Sequence, residues 1–481
     1  MLSSSAAFNL KPPAFPPKDF VFGCATSAYQ IEGSAWNEDG KGKSIWDTYA
    51  QTPGNIGHND TGDVACDHYH RYKSDVQLFK NLGVNHYSFT ISWTRILPNG
   101  RGPVNKKGLQ FYKNLLGELH AAGITPICTL YHWDLPQALF DEYQGWVDRK
   151  VVDDFKHYAT VVFEELGGMC SFWSTMNEPG TFCVRKRFGE GEGSRLKSKS
   201  TWDPSAPLKC LHNALLAHAS AVKIYRDGNY PGRIGVITDG QVYYPLDPTS
   251  AADADAAQRA MTYYFGWVNH PIWNGDYPPR MRKELGSLLP TFTAEEIALV
   301  KGSSDYYAFD GYTSGFATLD PTCNPKNSSS VSTPTNYNNG ILIGSPTQGG
   351  WNFQVPDGFR AALNYIHEQF SPPVMYITEN GMAVLNEAVL PIDRVLDDAN
   401  RVDWYRTYLQ QLRAAIEVDK LPIKGFVYWS CMDNFEWADG YSSKFGVTHV
   451  NFATQQRTPK KSATFLKDVI TKGHNLDHWY P

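Results

Sequence analysis

Two glutamates, Glu178 and Glu379, each close a short apolar run with strand character and lead into turn-forming residues. The first follows Phe172-Trp173-Ser174-Thr175-Met176-Asn177 and precedes Pro179; the second follows Val374-Met375-Tyr376-Ile377-Thr378 and precedes Asn380-Gly381. Two carboxyl groups facing one another are the equipment for cleaving a glycosidic bond. One is protonated and gives the leaving oxygen its proton, and the other is ionised and attacks the anomeric carbon. Their environments must therefore differ. Partial burial and the nearby negative Glu379 are expected to raise the pKa of Glu178. Glu379 needs a cation or hydrogen-bond donors to stay ionised, and Arg95 at the end of the second apolar run and the Tyr312 hydroxyl are the suitable types.

Taken singly, a strand-end glutamate is ordinarily an ion-pair or cap residue, so the surroundings carry weight. His132-Trp133 ends the third run, Gln30 and Glu32 follow the first, and Trp429 lies near the end of the eighth with Glu436-Trp437 beyond it. Polar side chains with aromatic plates at strand ends suit sugar hydroxyls and the flat faces of sugar rings. Core positions would be less polar.

These residues can meet only if the strands share one sheet. Eight β-rich runs alternate with helical patterns: 22–27, 86–93, 125–132, 172–177, 234–239, 306–313, 374–379 and 423–430. Between them, segments such as 67–82, 107–122, 148–166 and 401–418 repeat apolar residues at three and four. Strand followed by helix eight times predicts an α/β fold, a single (β/α)8 TIM barrel over residues 1–481 with extended βα loops. Such barrels carry their chemistry at the C-terminal rim. Residues 187–208 and 321–344, rich in Gly, Ser, Lys, Asn, Thr and Pro, read as rim insertions framing a pocket mouth.

A net charge of -5 with no long basic run offers nothing to a phosphate backbone, so nucleic acid is not an expected partner. No uninterrupted apolar stretch of about 18 residues spans a bilayer, so no membrane is expected. Residues 1–8 lack a basic n-region and an adequate apolar core, which leaves a cytoplasmic location as the expectation. The eight cysteines show no Cys-x-x-Cys spacing and several lie in apolar runs, so buried free thiols are expected rather than disulfides. Gly42-Lys43-Ser44 lacks the upstream glycine and strand of a phosphate loop, and the glutamates of Gly189-Glu190-Gly191-Glu192-Gly193 would repel a pyrophosphate. His68 and His70, two apart in a helical segment, face different ways and suggest no metal. No Gly-x-Ser-x-Gly elbow is present for a serine hydrolase.

The run from Phe22 to Gly33, with Asn177-Glu178-Pro179, Thr378-Glu379-Asn380-Gly381 and the segment from Asp433 to Tyr441, resembles the signatures of glycoside hydrolase family 1, the β-glucosidase family, over nearly the whole chain. The resemblance implies a retaining β-glucosidase acting on cellobiose, cello-oligosaccharides and aryl or alkyl β-glucosides, with no metal or organic cofactor. It implies Glu178 as general acid/base and Glu379 as nucleophile. Gln30, His132, Asn177, Glu436 and Trp437 would hold the innermost sugar over Trp429, with Trp351 against the leaving group and Phe445 near C6. Tyr312 and Arg95 would support the nucleophile. Two departures stand out. Asp310-Gly311-Tyr312 puts an acid where the family commonly has Asn, and Arg185-Lys186-Arg187 is a basic cluster where relatives often carry aromatic or small residues. That cluster would suit a phospho-β-glycosidase, but Glu436 in the C4/C6 region would repel a phosphate there. A non-catalytic sugar-binding barrel would have lost a carboxylate, and both remain.

Overall fold

The computed structural model describes residues 15–34, 36–184, 205–322, 331–337 and 340–477. Eight parallel strands close into a barrel: β1 Val21–Ala25, β2 His86–Thr90, β3 Thr125–Thr129, β4 Phe172–Asn177, β5 Arg233–Asp239, β6 Tyr307–Asp310, β7 Met375–Glu379 and β8 Ile423–Trp429. Neighbours in the barrel are neighbours in the chain, and β1 closes on β8 with Val21 opposite Gly425 and Ala25 opposite Trp429. This is the expected (β/α)8 architecture. The strands are buried along almost their whole length, as a parallel sheet covered by helices requires.

A long helix follows each strand: α1 His68–Asn81, α2 Lys106–Ala122, α3 Lys150–Leu166, α4 Ala206–Asp227, α5 Ala251–Asn274, α6 Pro356–Phe370, α7 Ala399–Glu417 and α8 Lys461–Lys472. In α2, Leu109, Tyr112, Leu116 and Leu119 recur at three and four and face the barrel wall. The Gly123 that ends it has φ +76°, a left-handed cap that costs glycine little.

Aromatic rings fill the barrel axis. Phe172 packs against Tyr306 and Tyr376, each at 4.9 Å between ring centres, and the Arg233 guanidinium lies 5.3 Å from the Phe172 ring at the N-terminal end. This floor leaves the C-terminal rim as the open end.

Three strands end three residues sooner than the apolar runs predict (93 − 90, 132 − 129 and 313 − 310). The ladder of β2 stops at Thr90 and Trp93 opens a helical turn, Trp93–Ile96; β3 stops at Thr129 and β6 at Asp310. An apolar run records burial, and the rim residues beyond the ladder are as buried as the strands, so composition does not mark where pairing ends. Of the two expected insertions, residues 187–204 lie outside the described residues. The other includes a short strand Val331–Ser332 paired with Gly315–Leu319, and Asn336–Tyr337 paired with Ile341–Leu342.

The cysteine expectation is corrected. Cys24 in β1 bonds Cys431 just past β8, and Cys183 bonds Cys210 in α4; Cys66, Cys128 and Cys170 are free and buried. Closure of the barrel brings together residues 407 positions apart, a proximity that local spacing does not encode. Cys323 lies outside the described residues.

A buried ion network secures the segment after β8. Lys460 binds Asp433 at 2.8 Å and also Glu387, which pairs with Arg401 at 2.6 Å, and Arg401 reaches Asp398. Burial pushes the Asp433 carboxyl up, but Lys460, His449 and Arg401 outweigh it and hold the group down at about 2. Its contribution to stability is therefore present above the ordinary carboxylate range and lost as pH falls toward about 2. Lys460→Met takes the ammonium from the buried Asp433 and leaves Glu387 with Arg401 alone, and should destabilise the fold by about 3–5 kcal/mol. The check is the urea midpoint at neutral pH, where an unchanged midpoint contradicts the network's role.

Candidate active site

Glu178 follows β4 and Glu379 ends β7, so the barrel places residues of distant sequence on one rim. One carboxylate oxygen each of Glu178, Asp310 and Glu379 lies within 4.8 Å of the other two. These three line one cavity with His132, Asn177, Tyr312, Trp351, Trp429, Glu436, Trp437 and Phe445. No lysine or arginine among the described residues lines it.

The local backbone is unusual where it presents these groups. Glu178, Trp133 and Trp437 have φ of +47°, +71° and +48°, a left-handed region that non-glycine residues enter only when the surroundings hold them there. The turn after Glu379 needs Gly381, because a Cβ there would meet the Trp429 carbonyl oxygen at 1.8 Å. Gly311 is similarly required, since a Cβ would stand 2.3 Å from the Phe309 ring.

Around the pair, donors and rings converge from five loops. The Tyr312 hydroxyl donates to Glu379 Oε2 at 2.7 Å. Asn177 Nδ2 lies 3.3 Å from His132 Nε2, and burial lowers the imidazole pKa to about 3, so the ring is neutral and accepts. The Trp133 indole donates to the Asn177 carbonyl at 3.1 Å and fixes that turn. His132 stacks with Trp437 and Trp429 at 5.7 and 6.1 Å between centres, and Trp351 stacks with Phe445 at 6.4 Å. Gln30 is fully buried behind Glu436; its amide donates to Glu436 at 3.3 Å and to Asn434 at 3.0 Å.

Arg95 follows β2 as expected, but its side chain does not support Glu379. Its Nε donates to Glu32 at 2.9 Å, one terminal nitrogen binds Asp39, and the other donates to the Gly33 carbonyl at 2.7 Å. Every face of the guanidinium fork is taken, and its plane lies 4.7 Å from the Tyr69 ring. Arg95 therefore braces the loop after β1 and does not serve Glu379. Glu32, also expected at the sugar, is consumed by Arg95 and by the Tyr112 hydroxyl at 2.8 Å.

Glu379 thus takes the Tyr312 hydroxyl as a donor, and among the described residues no lysine or arginine lines the cavity beside it. Burial pushes its carboxyl up, the Tyr312 hydroxyl draws it down, and Asp239 pushes it up again. Burial also raises Glu436, with Asp439 and Glu379 adding to the effect. Asp239 lines the cavity and accepts from the Thr181 and Tyr264 hydroxyls at 3.1 and 3.2 Å. It is not among the residues expected from sequence, although it ends β5 just as Glu379 ends β7 and carries the same strand-end signal. Arg185-Lys186-Arg187 lie outside the described residues.

Known proteins resemble this chain over nearly its whole length. Glycosyl hydrolase family 1 matches residues 13–475. Beta-glucosidase 12 of Oryza sativa subsp. japonica is 41% identical over 477 residues, 95% of this chain and 92% of the relative. Beta-glucosidase 1B of Phanerodontia chrysosporium is 41% identical over 480 residues, 97% and 86% of the two chains. Among solved structures, a β-glucosidase of Humicola insolens in complex with glucose superposes with a TM-score of 0.90 at 41% identity, covering 95% of this chain and 98% of that one. Beta-glucosidase 2 of Trichoderma reesei in complex with Tris gives 0.89 at 41%, covering 95% and 99%.

Proposed function

Because the chain belongs to glycosyl hydrolase family 1, a family of β-glucosidases, we propose that it releases terminal non-reducing β-D-glucosyl residues from cellobiose, cello-oligosaccharides and aryl or alkyl β-glucosides with retention. The observation that carries the mechanism is the spacing of the two glutamates. Oxygens within 4.8 Å suit direct attack on the anomeric carbon, whereas an inverting pair stands about 6.5–9.5 Å apart to admit water.

In this reading Glu379 attacks the anomeric carbon while Glu178 protonates the leaving oxygen. The glycosidic bond breaks and a glycosyl ester on Glu379 forms. Glu178, now ionised, takes a proton from water, which attacks the ester and restores Glu379. The Trp429 ring is the stacking floor for the inner sugar. Glu436, Trp437, Asn177 and His132 read its hydroxyls, Gln30 orients Glu436 from behind, and Phe445 lies near C6. Trp351, half-buried in the cavity lining, meets the leaving group.

A panel of aryl β-glycosides, cellobiose and longer cello-oligosaccharides tests this. Hydrolysis with first-formed β-glucose, followed by NMR, is the expected result. First-formed α-glucose contradicts the double displacement, and preference for cellobiose 6-phosphate over cellobiose contradicts the substrate class. The acidic lining argues for the unphosphorylated sugar, since a phosphate beside Glu436 and Glu379 would be repelled.

A further inference from the structure

Most of the large apolar side chains that are exposed among the described residues stand on two loops of the rim that carries the cavity. Leu385, Val389, Leu390 and Ile392 lie on the loop after β7, and Ile341 and Leu342 on the loop after β6. Val389 is 83% exposed and Leu385 51%, although the loop that carries them is firmly held. Glu387, in the middle of it, is buried against Arg401 and Lys460, and the Asn386 amide donates to Gln348 Oε1 at 2.9 Å. Apolar groups on a fixed backbone cannot turn inward, and a cluster of them left in water marks a place where something apolar binds.

This ledge begins at the cavity wall. Ala383 belongs to the same apolar cluster as Trp351, Trp429 and Phe445, and Leu385, two residues on, is at most ~7 Å away along the chain. The Gln348 amide donates to the Ala383 carbonyl at 3.0 Å and Asn352 Nδ2 to the Gly381 carbonyl at 3.0 Å, so the turn that presents Trp351 is fastened to the start of the ledge. We propose that Leu385, Val389 and Ile392 form an outer subsite for the alkyl chain of a leaving group that passes Trp351, and that the preferred substrates are β-glucosides of long-chain alcohols. This rests on the reading of the cavity as a β-glucoside site with Trp351 on the leaving-group side. Two other occupants fit less well. A few partly exposed side chains fall short of the ~800 Å² per partner that a stable interface between two copies buries. A net charge of -5 offers nothing to an anionic membrane surface. An alkyl chain needs neither area nor charge, and each methylene laid against apolar carbon gains up to about fourfold in affinity.

Chain length is the variable that tests this. Along the methyl, butyl, hexyl, octyl and decyl β-D-glucosides, all kept below micelle formation, KM should fall by about 10-fold or more from butyl to decyl while kcat stays level. The chain is held as strongly in the ground state as in the transition state, so its contacts appear in KM. In the double variant Leu385→Ser, Val389→Ser the butyl-to-decyl ratio of KM should shrink to about twofold. Val418→Ser removes a comparably exposed side chain, 68%, just past α7 and away from the cavity lining, and should keep the wild-type ratio. A flat wild-type series overturns the proposal, and so does a double variant that keeps the wild-type ratio.

Binding without turnover separates the subsite from the activity. Octyl 1-thio-β-D-glucoside, followed by calorimetry, should bind the wild type about 10-fold more tightly than its methyl counterpart, and the double variant should lose most of that margin. A protein that binds the octyl thioglucoside in this way but hydrolyses none of the glucosides rejects the β-glucosidase reading and keeps the subsite. One that hydrolyses every chain length with the same KM rejects the subsite and keeps the activity. Sedimentation gives the rival occupants their own outcomes. A wild-type dimer at micromolar protein that the double variant breaks overturns the proposal, as does wild-type pelleting with phosphatidylcholine and phosphatidylserine vesicles that the double variant loses.

Discussion

Glu379→Gly should lower kcat on an aryl β-glucoside by about 10⁴-fold or more, because the substitution removes the atom that forms the new bond, not a contact around it. That loss is equivalent to about 5–6 kcal/mol of barrier. Binding should persist, since the Trp429 floor and the residues around Glu436 are untouched, so the change is to appear in kcat with KM of the same order. The vacated space beside the anomeric carbon also gives the test a signature. Azide entering from the side of residue 379 displaces the aglycone once and yields an α-glucosyl azide. A variant that turns over like the wild type, or one that forms the β-azide, contradicts the assignment.

Glu178→Ala should fail differently. Without a proton donor, the first step depends on how well the leaving group bears negative charge. Activated dinitrophenyl glucosides should retain much of their rate, while alkyl glucosides and cellobiose lose about 10²–10⁴-fold. The second step then lacks its base, so glycosyl-enzyme accumulates and KM for activated substrates falls. Azide, which needs no base, should restore turnover and give a β-glucosyl azide, the opposite stereochemistry to that of the Glu379→Gly product. Equal losses for activated and alkyl leaving groups, with no azide rescue, mean that Glu178 is not the acid/base.

The two variants report on residues that share one cavity, and their effects should not add. Each blocks a different step of one cycle, so the double variant should be about as slow as Glu379→Gly alone.

The strand-end glutamates were legible because a parallel barrel turns the end of each strand toward one rim, so an acid closing an apolar run is already half located. Tyr312 was legible for the same reason. The order of strands followed from alternation alone, because short connections make chain neighbours into sheet neighbours. Arg95 marks where that reasoning stops. Its position after β2 was right, but the direction of its side chain depends on which carboxylates come near, and Glu32 and Asp39, from the loop after β1, reach it first.

The sequence by itself determined the architecture and the types of group at the rim, since periodicity and strand-end chemistry are local properties carried by a few adjacent residues. Only the tertiary structure decided the pairings: Cys24 with Cys431, and Arg95 with Glu32 and Asp39. Each depends on distances between segments far apart in the chain. Charges and thiols act over a few ångströms, and which of them come that close is fixed by barrel closure and loop packing, which no local pattern records.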